Sequence, residues 1–222
     1  MNDVDSERRH SRALEPELIT DPKLKAEAEA ANGLRQYDFA VQAVQTAIER
    51  SPFRLRASLI LSFQREALRG ISSYAGNFRP SDVNIQHSKH EPPGAHLVPE
   101  LVEDMCDYVN EHWETASAIH LAAYVMWRLN WIHPFADGNG RTSRILSFYI
   151  LFCKLGALLP GTPTLPDLII DHRSSYEEAL DAADAALKES GKVDVSKMEA
   201  LIEGLLAKQL AHVYEMAAGK KV

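Results

Sequence analysis

Cysteine, positive charge and long apolar runs are all scarce in this chain of 222 residues. Its two cysteines, Cys106 and Cys153, are too few for a disulfide framework, which favours a reducing, cytoplasmic setting. Lys and Arg number 24 against 31 Asp and Glu, and the formal net charge is −7. Broad surfaces for nucleic acid or anionic membrane need clustered positive charge, so we expect no nucleic-acid partner and no membrane partner.

No stretch has the pattern of a membrane span or a secretory leader. The longest apolar run, residues 145–156, is interrupted by Ser147 and Lys154 and falls short of the about 20 residues that a spanning helix needs. The first nine residues are mostly polar or charged and lack the apolar centre of a signal peptide. With 45% hydrophobic and 25% charged residues, the composition predicts a soluble globular domain.

Helical patterns dominate what is present. Residues 1–20 are charged and aperiodic and are predicted to be a flexible lead-in, and residues 217–222 are predicted to be a tail. Asp21-Pro22 can begin an N-terminal helix that Asn32-Gly33 would end, and residues 34–49 repeat apolar side chains at helical spacing. Further helices are predicted over residues 56–68, 100–113, 117–131, 141–155, 171–188 and 196–216.

One long segment lacks the helical pattern. Within residues 70–99, Val83 and Ile85 alternate with polar residues, and a Pro-Pro-Gly turn follows at residues 92–94. This combination is typical of a small β-hairpin, and a long non-helical segment in a helical chain is often a functional flap. The predicted fold class is therefore all-α: a helical bundle with one small β-hairpin.

The polar loop at residues 133–144 carries more chemistry than a connection between two apolar helices needs. Gly138, Asn139 and Gly140 precede a helix, where backbone N–H groups and the helix dipole converge on a site for phosphate. Arg141 and Arg144 share a face of the first turn of that helix, so both guanidinium groups can bind phosphate oxygens. The loop is thus a candidate anion site.

Two further side chains complete this site. Asp137 provides a carboxylate beside the phosphate cradle, which is a natural ligand for Mg²⁺. His133 can accept a proton from an attacking hydroxyl at neutral pH. A single histidine or a single glycine turn is most often structural, but a base, a carboxylate and an anion site at this spacing predict phosphoryl or nucleotidyl transfer.

The stretch His133-Pro134-Phe135-Ala136-Asp137-Gly138-Asn139-Gly140-Arg141-Thr142-Ser143-Arg144 resembles the signature of the Fic-domain family. That signature is His-Pro-Phe-x-(Asp/Glu)-Gly-Asn-(Gly/Lys)-Arg with a second arginine three residues on, and every defined position is filled. The resemblance implies a Fic domain at residues 34–216, preceded by an N-terminal helix at residues 21–33. It also implies transfer of AMP from ATP to a Ser, Thr or Tyr hydroxyl of a target protein, with release of pyrophosphate.

The resemblance assigns roles to individual residues. It makes His133 the catalytic base and Asp137 the ligand of Mg²⁺, and it gives nucleotide binding to Gly138, Asn139, Gly140, Arg141 and Arg144. The flap residues Val83, Asn84, Ile85 and Gln86 would align the target backbone by strand addition. Tyr176 would border the adenine, although such a tyrosine is more often a core residue. Arg79 and His90 are flap side chains that would either touch substrate or face solvent.

Some family members carry an inhibitory helix with the motif (Ser/Thr)-x-x-x-Glu-(Gly/Asn), whose glutamate pairs with the second arginine. Residues 25–30 resemble that motif and make Glu29 the candidate to reach Arg144. Lys25 and Ala30 depart from the pattern, and a solvated helix face is the alternative.

Other functions stay open on the sequence. They are a Fic enzyme that removes AMP or uses another phosphate-containing donor, a phosphotransferase, and a non-enzymatic nucleotide-sensing module. Gly140 argues against the phosphotransferase, because variant loops of that kind have Lys at this position. Self-modification, a homodimer and a separate antitoxin-like partner also stay open.

Overall fold

The computed structural model describes residues 18–50 and 52–218, together with the backbone of residues 11–12. Most of the predicted lead-in and the end of the predicted tail lie outside the described residues. Eight helices are described: α1 Pro22–Glu49, α2 Ala57–Leu68, α3 Val98–Glu111, α4 Ala118–Ile132, α5 Asn139–Leu155, α6 Leu165–Asp171, α7 Arg173–Ser190 and α8 Ser196–Ala217. The all-α fold class is confirmed. No helix in these ranges combines the length and apolar character needed to cross a membrane.

Helices α4 and α5 form the centre of the bundle. Their apolar side chains are buried on almost every face, as expected for helices with apolar residues all round. Ser117 caps the start of α4 by accepting the His120 N–H at 3.0 Å. Gly156, with a φ of 72°, ends α5 in the left-handed conformation. The polar loop between the two helices is therefore anchored in the core at both ends.

Helix α1 is continuous, so the stop predicted at Asn32-Gly33 is wrong. Asn32 is only 3% exposed, and its amide donates to the Arg69 carbonyl at 2.8 Å. Gln36, one turn later, donates to the Phe63 carbonyl at 3.0 Å. Both bonds hold α1 against α2, and such tertiary contacts outweigh the about 1 kcal/mol that a glycine costs inside a helix.

Helix α6 is not among the predicted helices. Thr164 and Asp167 form a capping box, with the Thr164 N–H donating to the Asp167 carboxylate at 3.0 Å. The chain then bends at His172, and α7 follows close to the helix predicted over residues 171–188.

The strand of the predicted flap is present as β2, Asn84–Ile85. Its partner differs from the prediction: β2 pairs antiparallel with β1, Ser11–Arg12, and Ser11 lies opposite Ile85. A hairpin would have paired β2 with the chain beyond residues 92–94. Two consecutive prolines there cannot donate ladder hydrogen bonds, and residues 95–97 form a 3-10 turn instead.

Gly138 fixes how closely α2 approaches the start of α5. It has a φ of 83°, and a Cβ at this position would lie 2.4 Å from Cδ2 of the buried Leu68. We expect Gly138→Ala to lower the free energy of unfolding by about 2–4 kcal/mol, because backbone strain and displacement of Leu68 add together.

Gly191→Ala is the matched control for this prediction. Gly191 has a φ of 68°, but no atom lies within 4 Å of the position that a Cβ would take, so only the backbone strain of about 1–2 kcal/mol applies. Denaturant unfolding of the wild type and both variants measures the difference. Equal losses in the two variants would contradict the packing constraint.

Candidate active site

A cavity of about 830 Å³ lies against the loop between α4 and α5. Its walls come from α1, the flap, the loop and helices α4 to α7. The lining residues are Lys25, Glu29, Ile85, Ser88, His90, Asn130, Trp131, His133, Asp137, Gly138, Asn139, Gly140, Arg141, Arg144, Ile169, Ile170, Arg173, Tyr176, Glu177, Leu180 and Asp184. The cavity thus brings together the predicted base, metal ligand and nucleotide-binding residues with Glu29 and Tyr176. Of the four predicted flap residues only Ile85 lines it, and Val83 is buried in the flap.

The loop is closed by the side chain of Asn139. Its Oδ1 accepts the Phe135 N–H at 2.9 Å, and its Nδ2 donates to the Phe135 carbonyl at 2.8 Å. Phe135 is fully buried and packs on Phe78, with ring centroids 6.0 Å apart. The amide of Asn139 therefore shapes the loop, and any role of this residue in the anion site falls to its backbone N–H.

His133 follows α4 directly and has a left-handed backbone, with a φ of 53°. Its Nδ1 lies 3.2 Å from the Asn130 carbonyl, which can only accept, so we assign the ring proton to Nδ1 and the lone pair to Nε2. The side chain is 6% exposed, and burial lowers the pKa of His133 to about 4. His90 and Arg79 lower this pKa further, whereas the Asn130 bond and Asp137 oppose the shift. His133 is thus a neutral imidazole near pH 7.

Arg141 is held by two carboxylates. Its Nη2 donates to Asp137 Oδ2 at 3.0 Å, and its Nη1 lies 3.7 Å from Glu29 Oε1. The prediction that Glu29 reaches Arg144 is wrong. In the structure, Glu29 pairs with Arg141, the first arginine of the motif. Arg144 lies about one turn further along α5 and interacts with Tyr176 of α7 instead.

Arg144 is partly buried, and desolvation lowers the pKa of its guanidinium, although an arginine stays charged. A hydrogen bond with Tyr176 opposes that shift. The Tyr176 hydroxyl also accepts from Asn130 Nδ2 at 2.9 Å and lies 3.3 Å from Ser143 Oγ. Because Ser143 Oγ itself donates to the Gly140 carbonyl at 3.0 Å, the Tyr176 proton can go to Ser143. The hydroxyl is therefore fully used in holding the first turn of α5.

Asp137 is a partly exposed carboxylate at the edge of the cavity. Its side chain is 49% exposed, and its Oδ1 accepts the Gly138 N–H at 2.5 Å. Within residues 18–50 and 52–218, no group of three or more His, Cys, Asp or Glu side chains is arranged to hold a metal ion. Mg²⁺ commonly takes one or two carboxylates together with substrate phosphates and water, so a single carboxylate fits this ion.

Several contacts around the loop were missed by the sequence analysis. Gln64 is buried and bridges the Asp137 carbonyl, at 3.2 Å, to the Gly76 N–H, at 2.5 Å. Arg79, predicted to touch substrate or face solvent, is buried beside the loop. His90 does line the cavity, where its Nε2 lies 2.7 Å from the Trp131 carbonyl. These residues are far apart in sequence, so only the three-dimensional structure reveals their contacts.

Comparisons with known proteins agree with the geometry. Residues 54–151 match the model of the Fic/DOC family. A stretch of 89 residues is 37% identical to "Protein adenylyltransferase Fic" of Drosophila persimilis, and it makes up 39% of this chain and 17% of that protein. The protein of the same name from Drosophila melanogaster is also 37% identical over 89 residues, which make up 39% of this chain and 18% of that protein. The match thus spans less than a fifth of the length of these curated relatives.

Solved structures share the fold at low sequence identity. A Fic domain containing signaling protein from Bacteroides thetaiotaomicron superposes with a TM-score of 0.69 and 17% identity, over 86% of this chain and 74% of that one. Fic-1 from C. elegans gives a TM-score of 0.60 and 22% identity, over 87% of this chain and 55% of that one. The motif at residues 133–144 lies within residues 54–151, the part of this chain that matches the Fic/DOC family, and the chain shares the fold of these Fic structures.

Proposed function

We propose that this chain transfers AMP from Mg-ATP to a hydroxyl group of a target protein and releases pyrophosphate. The observation that carries the proposal is the placement of a neutral His133 in the same cavity as the start of α5 and its two arginines. The target oxygen attacks the α-phosphorus, the bond from that phosphorus to the bridging oxygen of the β-phosphate breaks, and His133 Nε2 takes the hydroxyl proton. The name of the Drosophila relatives supports the same class of reaction.

The start of α5 would bind the phosphates. The N–H groups in the first turn of a helix have no partner within the helix, and the helix dipole favours an anion there. Gly138 lets the buried Leu68 pack against this turn, and the Gly140 Cα faces Arg144, with 3.3 Å between its hypothetical Cβ and Nη1. Arg144 is held ready by Tyr176, and Arg141 would exchange its carboxylate partners for phosphate oxygens.

The remaining predicted residues have supporting roles in the proposal. Asp137 would hold Mg²⁺, which neutralises charge on the phosphates when it is bound. Ile170, Leu180 and the ring of Tyr176 offer apolar surface for the adenine. The strand β2 reaches the cavity through Ile85, which suits a target backbone that adds as a further strand.

The central experiment compares wild type with His133→Ala in transfer of label from ATP to protein. We expect the rate to fall by about 100-fold or more, the range for loss of a general base, while the affinity for ATP stays nearly constant. Mass spectrometry should find AMP on Ser, Thr or Tyr only with the wild type. His120→Ala is the control, because His120 pairs with Glu199 and Tyr108 outside the cavity lining. Label that does not depend on His133 refutes the proposal.

The lowered pKa of His133 predicts the acid limb of the pH profile. The base is protonated only as the pH falls through about 4, so the rate at pH 5.5 should stay within about twofold of that at pH 7.5. An ordinary histidine, with a pKa near 6.5, would lose about 90% of its basic form over this interval. The free energy of unfolding should also fall at acid pH. Below pH 6.5 the unfolded chain binds a proton at this histidine, whereas the folded chain binds it only near pH 4, so protonation favours the unfolded state. A rate that halves near pH 6.5 contradicts the assigned burial.

Glu29 is proposed to restrain the reaction by holding Arg141. The two side chains are 40% and 26% exposed, so the pair is worth about 0–1 kcal/mol, and Glu29→Gly should raise self-modification by up to about fivefold. Glu27→Gly is the matched control, since Glu27 lies on the same helix and pairs with Lys23 at 4.0 Å. Both variants carry the same helix penalty. Identical rates in the two variants exclude the restraint.

The contact of Glu29 with the anion site also favours one second candidate, the reverse reaction. In that case the wild type removes AMP from a modified protein, and Glu29→Gly abolishes removal instead of raising transfer. The same pair of variants, assayed with a protein that already carries AMP, separates the two directions.

A further inference from the structure

Arg79 is a deeply buried charged side chain that the proposed reaction does not use. It lies between α2 and β2 in the chain and is 3% exposed. Burial lowers the pKa of its guanidinium, and Asp82, whose Oδ1 is 3.5 Å from Nη1, opposes this shift. A buried cation needs hydrogen-bond acceptors on several sides, so the acceptors of Arg79 identify the segments that it connects.

Those partners are backbone carbonyls of two segments that are distant in sequence. In the catalytic loop, Arg79 Nε donates to the His133 carbonyl at 2.8 Å, and the Arg79 backbone N–H donates to the Pro134 carbonyl at 2.9 Å. In the flap, Nη1 donates to the Ser81 carbonyl at 3.0 Å and Nη2 donates to the Pro93 carbonyl. One guanidinium therefore joins the loop at residues 133–144 to the chain on both sides of β2.

The residue that Arg79 holds in the loop has an unusual backbone. Among the described residues, His133 and His87 are the non-glycine residues with positive φ, at 53° and 59°. Such a conformation persists only where the surrounding structure enforces it. The two bonds from Arg79, to the carbonyl of His133 and to the next carbonyl, act at that position.

We propose that Arg79 is a positioning residue, which fixes the catalytic His133 relative to the flap strand β2. The proposal rests on the proposed function, because β2 matters only as the strand that presents the target hydroxyl. Ser81 and Pro93 bracket β2 in the chain, so a guanidinium bonded to both of them and to His133 sets the distance between base and target. Asp82 strengthens the flap side, because its Oδ1 accepts the Ala95 N–H at 2.7 Å.

Lysine cannot replace this arrangement. A guanidinium carries five N–H donors in a fixed plane, whereas an ammonium group presents its three donors from one atom. Lys at position 79 would keep the positive charge beside His133, which lowers the pKa of the imidazole, but it could not reach all three carbonyls. Arg79→Lys therefore separates position from charge.

The kinetic test compares wild type, Arg79→Lys and Arg128→Lys in the transfer of AMP to protein. We expect Arg79→Lys to lower kcat by about 10- to 100-fold, the effect of displacing a reacting group by about 1 Å, while KM for ATP stays within about twofold. Arg128→Lys is the matched control: burial also lowers the pKa of Arg128, whose guanidinium lies 4.3 Å from the Trp131 ring centre. A kcat per folded Arg79→Lys molecule equal to that of the wild type overturns the proposal.

A second measurement does not depend on activity. Amide hydrogen exchange without nucleotide should become about tenfold faster in Arg79→Lys both at residues 133–138 and at residues 81–94, and it should be unchanged at both in Arg128→Lys. Unchanged exchange in the loop of Arg79→Lys overturns the proposal even if activity falls. If the wild type shows no His133-dependent transfer, the proposed function fails, and the exchange rates still decide whether Arg79 holds the loop to the flap.

Discussion

The reciprocal pair of hydrogen bonds between the Asn139 amide and the backbone of Phe135 is the constraint on which the site depends. It closes a loop of polar residues inside a core of apolar ones, where unpaired backbone groups would be costly. Phe135 is fully buried and Gly138 packs closely against Leu68, so the loop has little freedom to move toward or away from the core. His133 and the start of α5 consequently keep a fixed relation that needs no ligand to establish it.

The two arginines of the loop occupy different electrostatic environments although they lie one turn apart. Arg144 is partly buried and hydrogen-bonded to Tyr176, so part of the cost of ordering it is already met in folding. Arg141 is partly exposed, donates a hydrogen bond to Asp137 and forms an ion pair with Glu29. In the proposed reaction, a phosphate group would meet Arg144 already held in place and Arg141 still paired with carboxylates. Under that proposal, Arg144 would supply a pre-organised contact and Arg141 the regulated one.

The sequence allowed the grouping of the loop residues to be predicted, because these residues are contiguous and their spacing alone places them around one helix start. Helix periodicity likewise located most of the helices. The errors share a different origin. Asn32 has the pattern of a helix stop but bonds to another helix, β2 pairs with a strand far away in the chain, and Glu29 reaches a different arginine from the one predicted. Each depends on a contact between distant residues, which no local pattern reports. Arg79 was missed for the same reason.

The pairing of β1 with β2 has a consequence for recognition. Ser11–Arg12 already occupies one edge of the short flap strand, and it does so as part of the same chain. A tethered strand is present at an effective concentration set by its linker, in the millimolar range for short flexible ones. Any polypeptide that adds to that same edge must compete against this local concentration. Which polypeptide binds at that edge of β2 would then depend on how well it competes with residues 11–12 of the same chain.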